Sequence, residues 1–121
     1  MALKITNREI DGVSVLTLDG RIELGEATSA LRERIKNLLG EGKKNIVLNL
    51  GNVTLIDSSG LGTLVEAHEN AKSAGASIRL CQLGSRSNEL LQVTRLYTVF
   101  EVSDTEEDAV RAMAKRAASA D

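Results

Sequence analysis

The chain has 121 residues, of which 42% are hydrophobic, and this length and composition suit one globular domain with a buried core. Its 15 basic and 17 acidic residues give a formal net charge of −2, so no global basic field attracts nucleic acid or an anionic membrane. The aromatic content of 2% leaves no stacking platform for single-stranded bases, and no apolar run approaches the roughly 20 residues of a membrane span.

The chain start and the cysteine content predict the compartment. The first residues lack the apolar stretch of a secretory signal, so we expect a cytoplasmic protein that does not insert into a membrane. Cys81 is the only cysteine, which excludes an internal disulfide, and it lies in an apolar strand pattern. We therefore expect Cys81 to be a small, buried, apolar side chain.

The N-terminal third of the sequence predicts a β-hairpin followed by a helix. Residues 3–8 and 13–18 have β-type patterns, and Asp11-Gly12 between them is a pair favoured in tight hairpin turns. Apolar residues then recur at helical spacing at positions 27, 31, 35, 38 and 39. Gly40 and Gly42 are expected to end this helix.

The middle of the sequence predicts a central strand and a second helix. Residues 46–50 are nearly continuously apolar, as expected of a strand covered on both faces by helices. A helix follows the serines at 58 and 59, with positions 61, 64, 65, 68 and 71 on its buried side and Gly75 as its stop.

The C-terminal third predicts two strands and two helices. Residues 77–83 form a strand, residues 87–95 a short helix that buries Leu90, Leu91 and Val93 or Thr94, and residues 97–102 the last, edge strand. The acidic stretch 104–107 resembles a capping box with Asp104 as the cap, and positions 109, 110, 113, 114 and 117 form the apolar stripe of a final helix.

The resulting element order is ββαβαβαβα, which predicts an α/β fold: a mixed β-sheet with helices packed on it. We expect a single domain over residues 1–121, with a core from about 3 to 117 and a frayed tail at 118–121.

The turn between the central strand and the second helix carries the residues that indicate a function. Asp57, Ser58 and Ser59 can each cap a helix, because their side-chain oxygens can accept hydrogen bonds from its first free N–H groups. Gly60 and Gly62 each cost about 1 kcal/mol of helix stability relative to alanine. Their lack of a side chain lets the backbone of another molecule approach closely.

Catalysis by these serines is not expected. The Gly-x-Ser-x-Gly pattern of hydrolases is missing, and the only histidine, His68, lies about ten residues further along the same helix, roughly 15 Å away. A general base must come within about 3.2 Å or act through one water. We therefore expect no enzyme activity and place His68 at the border of the buried face. One histidine and one cysteine also leave no metal-ligand cluster.

Two interpretations of the serines remain open from the residues alone. A helix N-terminus with glycines can bind an anion, but no Gly-Lys-Ser/Thr motif or Gly-x-Gly-x-x-Gly spacing accompanies it. Ser58 and Ser59 are either ordinary helix-capping residues or sites of modification, where a phosphate adds a charge of roughly −1.5 to −2 beside Asp57.

Three stretches together resemble the STAS domain of bacterial anti-sigma-factor antagonists, which regulate sporulation and general stress sigma factors. They are Ile-Val-Leu-Asn-Leu at 46–50, Leu-Ile-Asp-Ser-Ser-Gly-Leu-Gly at 55–62 and Leu-Tyr-Thr-Val-Phe at 96–100. The resemblance covers residues 3–117. It implies that Ser58, the first serine of the motif, is the phosphoacceptor.

The resemblance also implies partners and a contact surface. An anti-sigma factor with serine kinase activity binds the unmodified form, which releases a sigma factor, and phosphorylates it with its own ATP and Mg²⁺; a serine phosphatase reverses the modification. The protein itself needs no cofactor. The implied partner-binding residues are Asp57, Ser58, Ser59, Gly60, Leu61, Gly62 and Glu23.

Two points stay open within this resemblance. Glu23 matches the position of an acidic residue, often aspartate, in the loop after the second strand of these antagonists, but it is equally explained as a solvated loop carboxylate. The chain could also be a STAS interaction subunit of a lipid-transport, signalling or chemosensory complex, without sigma-factor control.

Overall fold

The computed structural model describes the backbone of residues 3–119 and the side chains of residues 3–115. The predicted order ββαβαβαβα is confirmed. The strands are β1 Lys4–Ile10, β2 Val13–Ile22, β3 Asn45–Ile56, β4 Ser77–Cys81 and β5 Glu101–Ser103. The helices are α1 Glu26–Gly40, α2 Ser58–Ser73, α3 Ser85–Thr94 and α4 Glu106–Ser119.

The five strands form one sheet in the order β1-β2-β3-β4-β5. The sheet is mixed, as predicted, because β1 pairs antiparallel with β2 whereas every later neighbour pair is parallel. The hairpin between β1 and β2 turns at Asp11 and Gly12, whose φ angles of 51° and 78° are those of a tight left-handed turn. The expected edge position of β5 is confirmed.

Helices cover both faces of the sheet. One apolar cluster joins α1, α2 and α3 to the face that carries Ile46 and Leu48 of β3. A second cluster joins α4 to the opposite face, which carries Val47 and the buried Cys81. Because successive strand residues point to opposite faces, β3 is buried on both sides, as its continuous apolar pattern predicts. Burial raises the pKa of the Cys81 thiol to about 12, which keeps it protonated.

The structure corrects the boundaries of the middle elements. β3 extends beyond the apolar run at 46–50 and continues beside β2 as far as Ile56, where it pairs with Ile22. β4 ends at Cys81, two residues earlier than expected, and α3 begins at Ser85, two residues earlier. Backbone pairing to a neighbouring strand extends β3 through polar positions that its apolar pattern does not mark.

The predicted strand at residues 97–102 is mostly wrong. Arg95 adopts a left-handed conformation (φ 61°) that ends α3, and Leu96–Thr98 form a single 3₁₀ turn. The strand consists of Glu101–Ser103 alone. Because the turn carries the chain back toward the sheet, Phe100 becomes buried.

The short helix α3 and the final helix α4 also differ in detail from expectation. Val93 is 75% exposed and Thr94 is exposed too, so the prediction that one of the two is buried is wrong, whereas Leu91 is buried. The cap of α4 is Thr105 instead of Asp104, because its hydroxyl accepts the Asp108 N–H at 3.1 Å. The helix includes residues 118 and 119 of the expected tail; residues 120 and 121 lie outside the described residues, as does the side chain of Ala117.

Candidate functional site

Parallel pairing of β2 and β3 brings two helix starts together at one edge of the sheet. The last residues of the strands, Ile22 and Ile56, pair with each other. Each strand is followed within a few residues by a helix, so the N-termini of α1 and α2 lie side by side. The free N–H groups of both helices therefore point toward the same edge.

Asp57 is the cap of α2 and also ties the helix to the β2–α1 loop. Its Oδ1 accepts the Gly60 N–H at 2.7 Å, and its Oδ2 accepts the Leu24 N–H at 3.0 Å. Its own N–H donates to the Ile22 carbonyl at 3.3 Å. The N–H groups of Leu24 and Gly60 hold the pKa of this carboxyl below its usual value, so it is ionised at neutral pH.

The two serines occupy different environments, although they are adjacent. Ser58, the first residue of α2, is exposed, and within the described side chains its hydroxyl has no hydrogen-bond partner. Ser59 is half-buried, and its carbonyl accepts the Thr63 hydroxyl at 2.9 Å. Because Asp57 supplies the cap, the Ser58 hydroxyl is not needed to satisfy the helix and is accessible to another protein.

The two glycines of the motif have different structural roles. A Cβ on Gly60 would lie 1.9 Å from the carbonyl oxygen of Ile22, so α2 packs against the end of β2 only because this side chain is missing. A Cβ on Gly62 would meet no heavy atom within 4 Å among the described residues beyond its own helical turn and chain neighbours. The close approach of the Ile22 carbonyl explains why residue 60 is a glycine. No contact within the described chain explains why residue 62 is one.

Glu23 lies in the loop that Asp57 holds. It directly follows β2 and is half-buried, between Ile22 and Leu24, both of which hydrogen bond to Asp57. Glu23 therefore lies in a loop that is hydrogen bonded to the turn carrying the serines, and its contact with a partner stays a prediction. Leu61, also predicted at the partner surface, is partly buried and packs against the core. What Gly60 and Leu61 do toward a partner stays a prediction.

Sequence reasoning missed Leu24. This leucine is 76% exposed, although its backbone N–H is fixed by the carboxylate beside Ser58. The only signal in the sequence is a large apolar residue in an otherwise polar loop ahead of a helix, which does not distinguish a contact residue from a buried one.

No metal-binding cluster accompanies the serines in the described residues. His68 is half-buried and packs edge-on against Phe100 with ring centroids 5.7 Å apart, which confirms its predicted border position. Its Nδ1 is buried without a hydrogen-bond partner in the described part of the chain. No group of three metal-ligating side chains occurs within those residues.

The profile of the STAS domain family matches residues 4–109. The chain belongs to the STAS domain family. The anti-sigma-B factor antagonist of Bacillus subtilis is 29% identical to this STAS protein over 96 residues, which are 79% of this chain and 86% of the relative.

Two solved structures share the fold of this STAS protein. An anti-sigma factor antagonist from Mycobacterium paratuberculosis has a TM-score of 0.82 at 23% identity and covers 92% of this chain and 93% of its own. The Bacillus cell fate determinant SpoIIAA in its phosphorylated form has a TM-score of 0.69 at 19% identity, with coverage of 91% and 97%. Within residues 3–119, no helix of this STAS protein is both long and apolar enough to cross a bilayer.

Proposed function

We propose that this STAS protein is an anti-sigma-factor antagonist whose switch is Ser58. The unphosphorylated form binds an anti-sigma factor and so releases a sigma factor. The observation that carries the proposal is the exposed hydroxyl of Ser58 at the first residue of α2, which has no hydrogen-bond partner among the described side chains. The name of the Bacillus subtilis relative supports it, as does the existence of SpoIIAA in a phosphorylated form.

The partner supplies the chemistry in this proposal. The anti-sigma factor is a serine kinase that carries ATP and Mg²⁺; it transfers the γ-phosphoryl group to Ser58 Oγ, takes up the hydroxyl proton and releases ADP. A serine phosphatase hydrolyses the phosphate ester. The STAS protein uses no cofactor and turns over no ATP in this proposal, because its sequence has no phosphate-binding lysine motif and the neighbouring Asp57 carboxylate already accepts the N–H groups of Leu24 and Gly60.

The position of Ser58 favours its modification over that of Ser59. An acceptor hydroxyl must reach within about 3 to 3.5 Å of the transferring phosphorus. Ser58 is exposed, whereas Ser59 is half-buried and lies one residue further into the helix. The new phosphate then lies at the positive end of the α2 dipole, where an anion is favoured.

Phosphosite mapping tests this function. The purified protein is incubated with ATP and each purified anti-sigma serine kinase of the source genome, and phosphopeptides are sequenced by mass spectrometry. We expect one kinase to label Ser58, with Ser58→Ala unlabelled and Ser59→Ala, the matched control, labelled as the wild type. Labelling on Ser59, full labelling of Ser58→Ala, or no labelling by any of the kinases contradicts the proposal.

A further inference from the structure

A pocket lies between the C-terminal end of β3 and the first turn of α3. It encloses about 310 Å³, a volume at the small end of the range for ligand sites. Val53 and Leu55 of β3 and Leu90 of α3 give it an apolar wall, and Leu55 is 40% exposed. Neither Ser58 nor Ser59 lines the pocket, so it is separate from the phosphorylation site proposed above.

The first turn of α3 supplies free hydrogen-bond donors to this pocket. The N–H groups of Ser85, Arg86 and Ser87 precede the first helical hydrogen bond, which the Asn88 N–H donates to the Gly84 carbonyl at 2.9 Å. Gly84, the cap residue, has no side chain to accept them, and they have no other acceptor in the described part of the chain. The Arg86 guanidinium also lines the pocket and has no ion-pair partner among the described residues.

Ser87 is an independent indication of a ligand. It is only 8% exposed, yet its hydroxyl has no hydrogen-bond partner among the described residues, which is costly for a buried polar group. Ser87 also lines a void of about 10 Å³ beneath the pocket, but the wall of this void is apolar. A buried water needs about three polar partners, so no water in the void satisfies the hydroxyl. The hydroxyl therefore faces the outer pocket.

We infer that this pocket binds a small aliphatic molecule with one anionic head group, a phosphate monoester or a carboxylate. The head group lies at the first turn of α3, where it accepts from the Ser87 hydroxyl and the free N–H groups beside the charge of Arg86. The aliphatic body covers Leu55 and Leu90 and removes their exposed surface from water. The inference does not depend on the proposed function, because it involves neither serine of the motif.

The volume and the lining restrict the ligand. At about 30 Å³ for each water-sized group, the pocket holds on the order of ten non-hydrogen atoms, which suits a chain of about eight carbons with one head group. No aromatic side chain among the described residues lines it, so a nucleobase has no stacking partner. One cationic side chain, with no carboxylate in the described lining to hold Mg²⁺, does not suit a di- or triphosphate.

Titration with short amphiphiles tests this inference. Octyl phosphate and octanoate are added, below the concentrations at which they form micelles, to the isotope-labelled full chain, and the amide NMR shifts are followed. We expect saturable shifts at residues 85–87 with a dissociation constant on the order of 0.1 to 1 mM. Inorganic phosphate has only the head group and octanol only the chain, so each should bind more weakly by about tenfold or more. The amphiphile that binds more tightly identifies the head group.

Variants of the first turn of α3 separate binding from folding. Gly84→Asp caps the free N–H groups with its own carboxylate, and its Cβ meets no heavy atom of the described chain within 4 Å, so it should abolish binding and keep or raise the melting temperature. Ser87→Ala removes a hydroxyl that has no partner and should weaken binding severalfold without a loss of melting temperature. Arg86→Gln should weaken binding by about tenfold. Arg111→Gln, the control, removes the same charge from α4 on the opposite face of the sheet and should stay within about twofold of the wild type.

The inference is overturned if neither amphiphile gives saturable shifts at residues 85–87 at concentrations about tenfold above the expected dissociation constant. Octanol or inorganic phosphate that binds as tightly as the amphiphiles contradicts a joint site for head group and chain. Equal losses in Arg86→Gln and Arg111→Gln, or unchanged binding by Gly84→Asp, assign the binding to net charge and equally overturn it. The titration uses no kinase, so its failure is distinguishable from a failure of the phosphosite mapping.

Discussion

The carboxylate of Asp57 accepts the backbone N–H of Leu24 at 3.0 Å, across 33 residues of sequence. The other oxygen of the same carboxylate caps α2 through the Gly60 N–H. One side chain therefore fixes both the helix that presents Ser58 and the loop that presents Leu24. Asp57 acts as a structural clamp between the two segments that carry the predicted partner-binding residues.

Removal of the Asp57 carboxylate should loosen both segments. We expect Asp57→Ala to lower the melting temperature by roughly 3 to 6 °C, the size of effect expected for a lost helix cap. Asp57→Asn keeps one acceptor oxygen and should lose less. Amide hydrogen exchange is the sharper measurement, because Leu24 and Gly60 should both exchange faster in Asp57→Ala. Unchanged exchange at Leu24 contradicts the clamp.

The same clamp gives a pH dependence. The N–H groups of Leu24 and Gly60 hold the folded-state pKa of Asp57 below its ordinary value of 3.8. A carboxyl with a depressed folded pKa contributes stability that is present above its unfolded pKa and is lost as the pH falls through the folded one. The difference in melting temperature between wild type and Asp57→Asn should therefore be constant above about pH 5 and shrink in more acidic solution.

Gly60 and Gly62 form a matched pair of positions on one helix. Gly60→Ala places a methyl group 1.9 Å from the Ile22 carbonyl oxygen, so the end of β2 must move, and we expect a loss of about 2 kcal/mol or more in the free energy of unfolding. The methyl group of Gly62→Ala meets open space in the described part of the chain, so this variant should gain up to about 1 kcal/mol from helix propensity. Urea denaturation measures both, and equal effects of the two substitutions contradict the assigned roles.

The contrast between these glycines shows where sequence reasoning stops. The spacing Gly-x-Gly predicts that side chains are excluded from the first turn of α2. It does not reveal which atoms lie close to each glycine. That distinction depends on the Ile22 carbonyl, which lies 38 residues away and reaches Gly60 only because β2 and β3 are parallel. Long-range backbone placement of this kind leaves no local pattern.

The fold itself was largely predictable because its elements have clear periodicity. The hairpin turn at Asp11-Gly12, the doubly buried β3 and the apolar stripe of α4 are all local signals that the structure confirms. The errors lie where tertiary contacts override local preference. Arg95 ends α3 in a left-handed conformation, so the start of the segment predicted as a strand is a 3₁₀ turn instead. The solvent-facing position of Val93 depends on how α3 packs against the sheet.

Glu106 should anchor α4 to the sheet. Its Oε1 accepts from Arg8 at 2.5 Å and from the Asn49 amide at 3.0 Å. Burial by itself would raise the pKa of Glu106, but these hydrogen bonds outweigh it and lower the pKa. Glu106→Ala leaves both donors without this acceptor, so we expect a loss of about 1 to 2 kcal/mol in the free energy of unfolding.

Glu107 provides the control for Glu106, because it lies in the same first turn of α4 but is exposed. Both residues interact with the helix dipole to a similar degree. Glu107→Ala should therefore change the free energy of unfolding by less than about 0.5 kcal/mol. Urea denaturation of both variants isolates the contribution of the contacts to Arg8 and Asn49, and equal losses contradict the anchoring role.

Cys81 should resist thiol reagents as long as α4 is in place. Burial, with a smaller contribution from the Glu106 charge, raises its pKa from 9.0 to about 12. The native protein should react with a disulfide reagent at pH 8 only as fast as it opens, and fully once unfolded in urea. The unfolded thiol ionises at a lower pH than the folded one, so the free energy of unfolding should fall as the pH rises from 9.0 toward 12. Cys81→Ala has no thiol and should not show this decrease.

Phosphorylation of Ser58 should act on the partner surface and leave the fold intact. A phosphate at the start of α2 is favoured by the dipole by roughly 0.3 to 1 kcal/mol at an exposed position, so the modified domain stays folded. If the kinase presents an acidic group within about 4 Å of this turn, one like-charge contact at an effective dielectric near 20 costs on the order of 4 kcal/mol. Since each 1.4 kcal/mol is a factor of ten, affinity falls by about a few hundredfold or more.

Two substitutions at Ser58 separate electrostatic from conformational switching. We expect Ser58→Asp to keep nearly the wild-type melting temperature but to bind the anti-sigma kinase far more weakly, while Ser58→Ala binds well. Asp57 remains in place in all three proteins, so the clamp on Leu24 is common to them. Scanning calorimetry and titration calorimetry of the three decide the matter. If Ser58→Asp loses binding only together with many degrees of melting temperature, the switch is conformational and repulsion at the interface is not its cause.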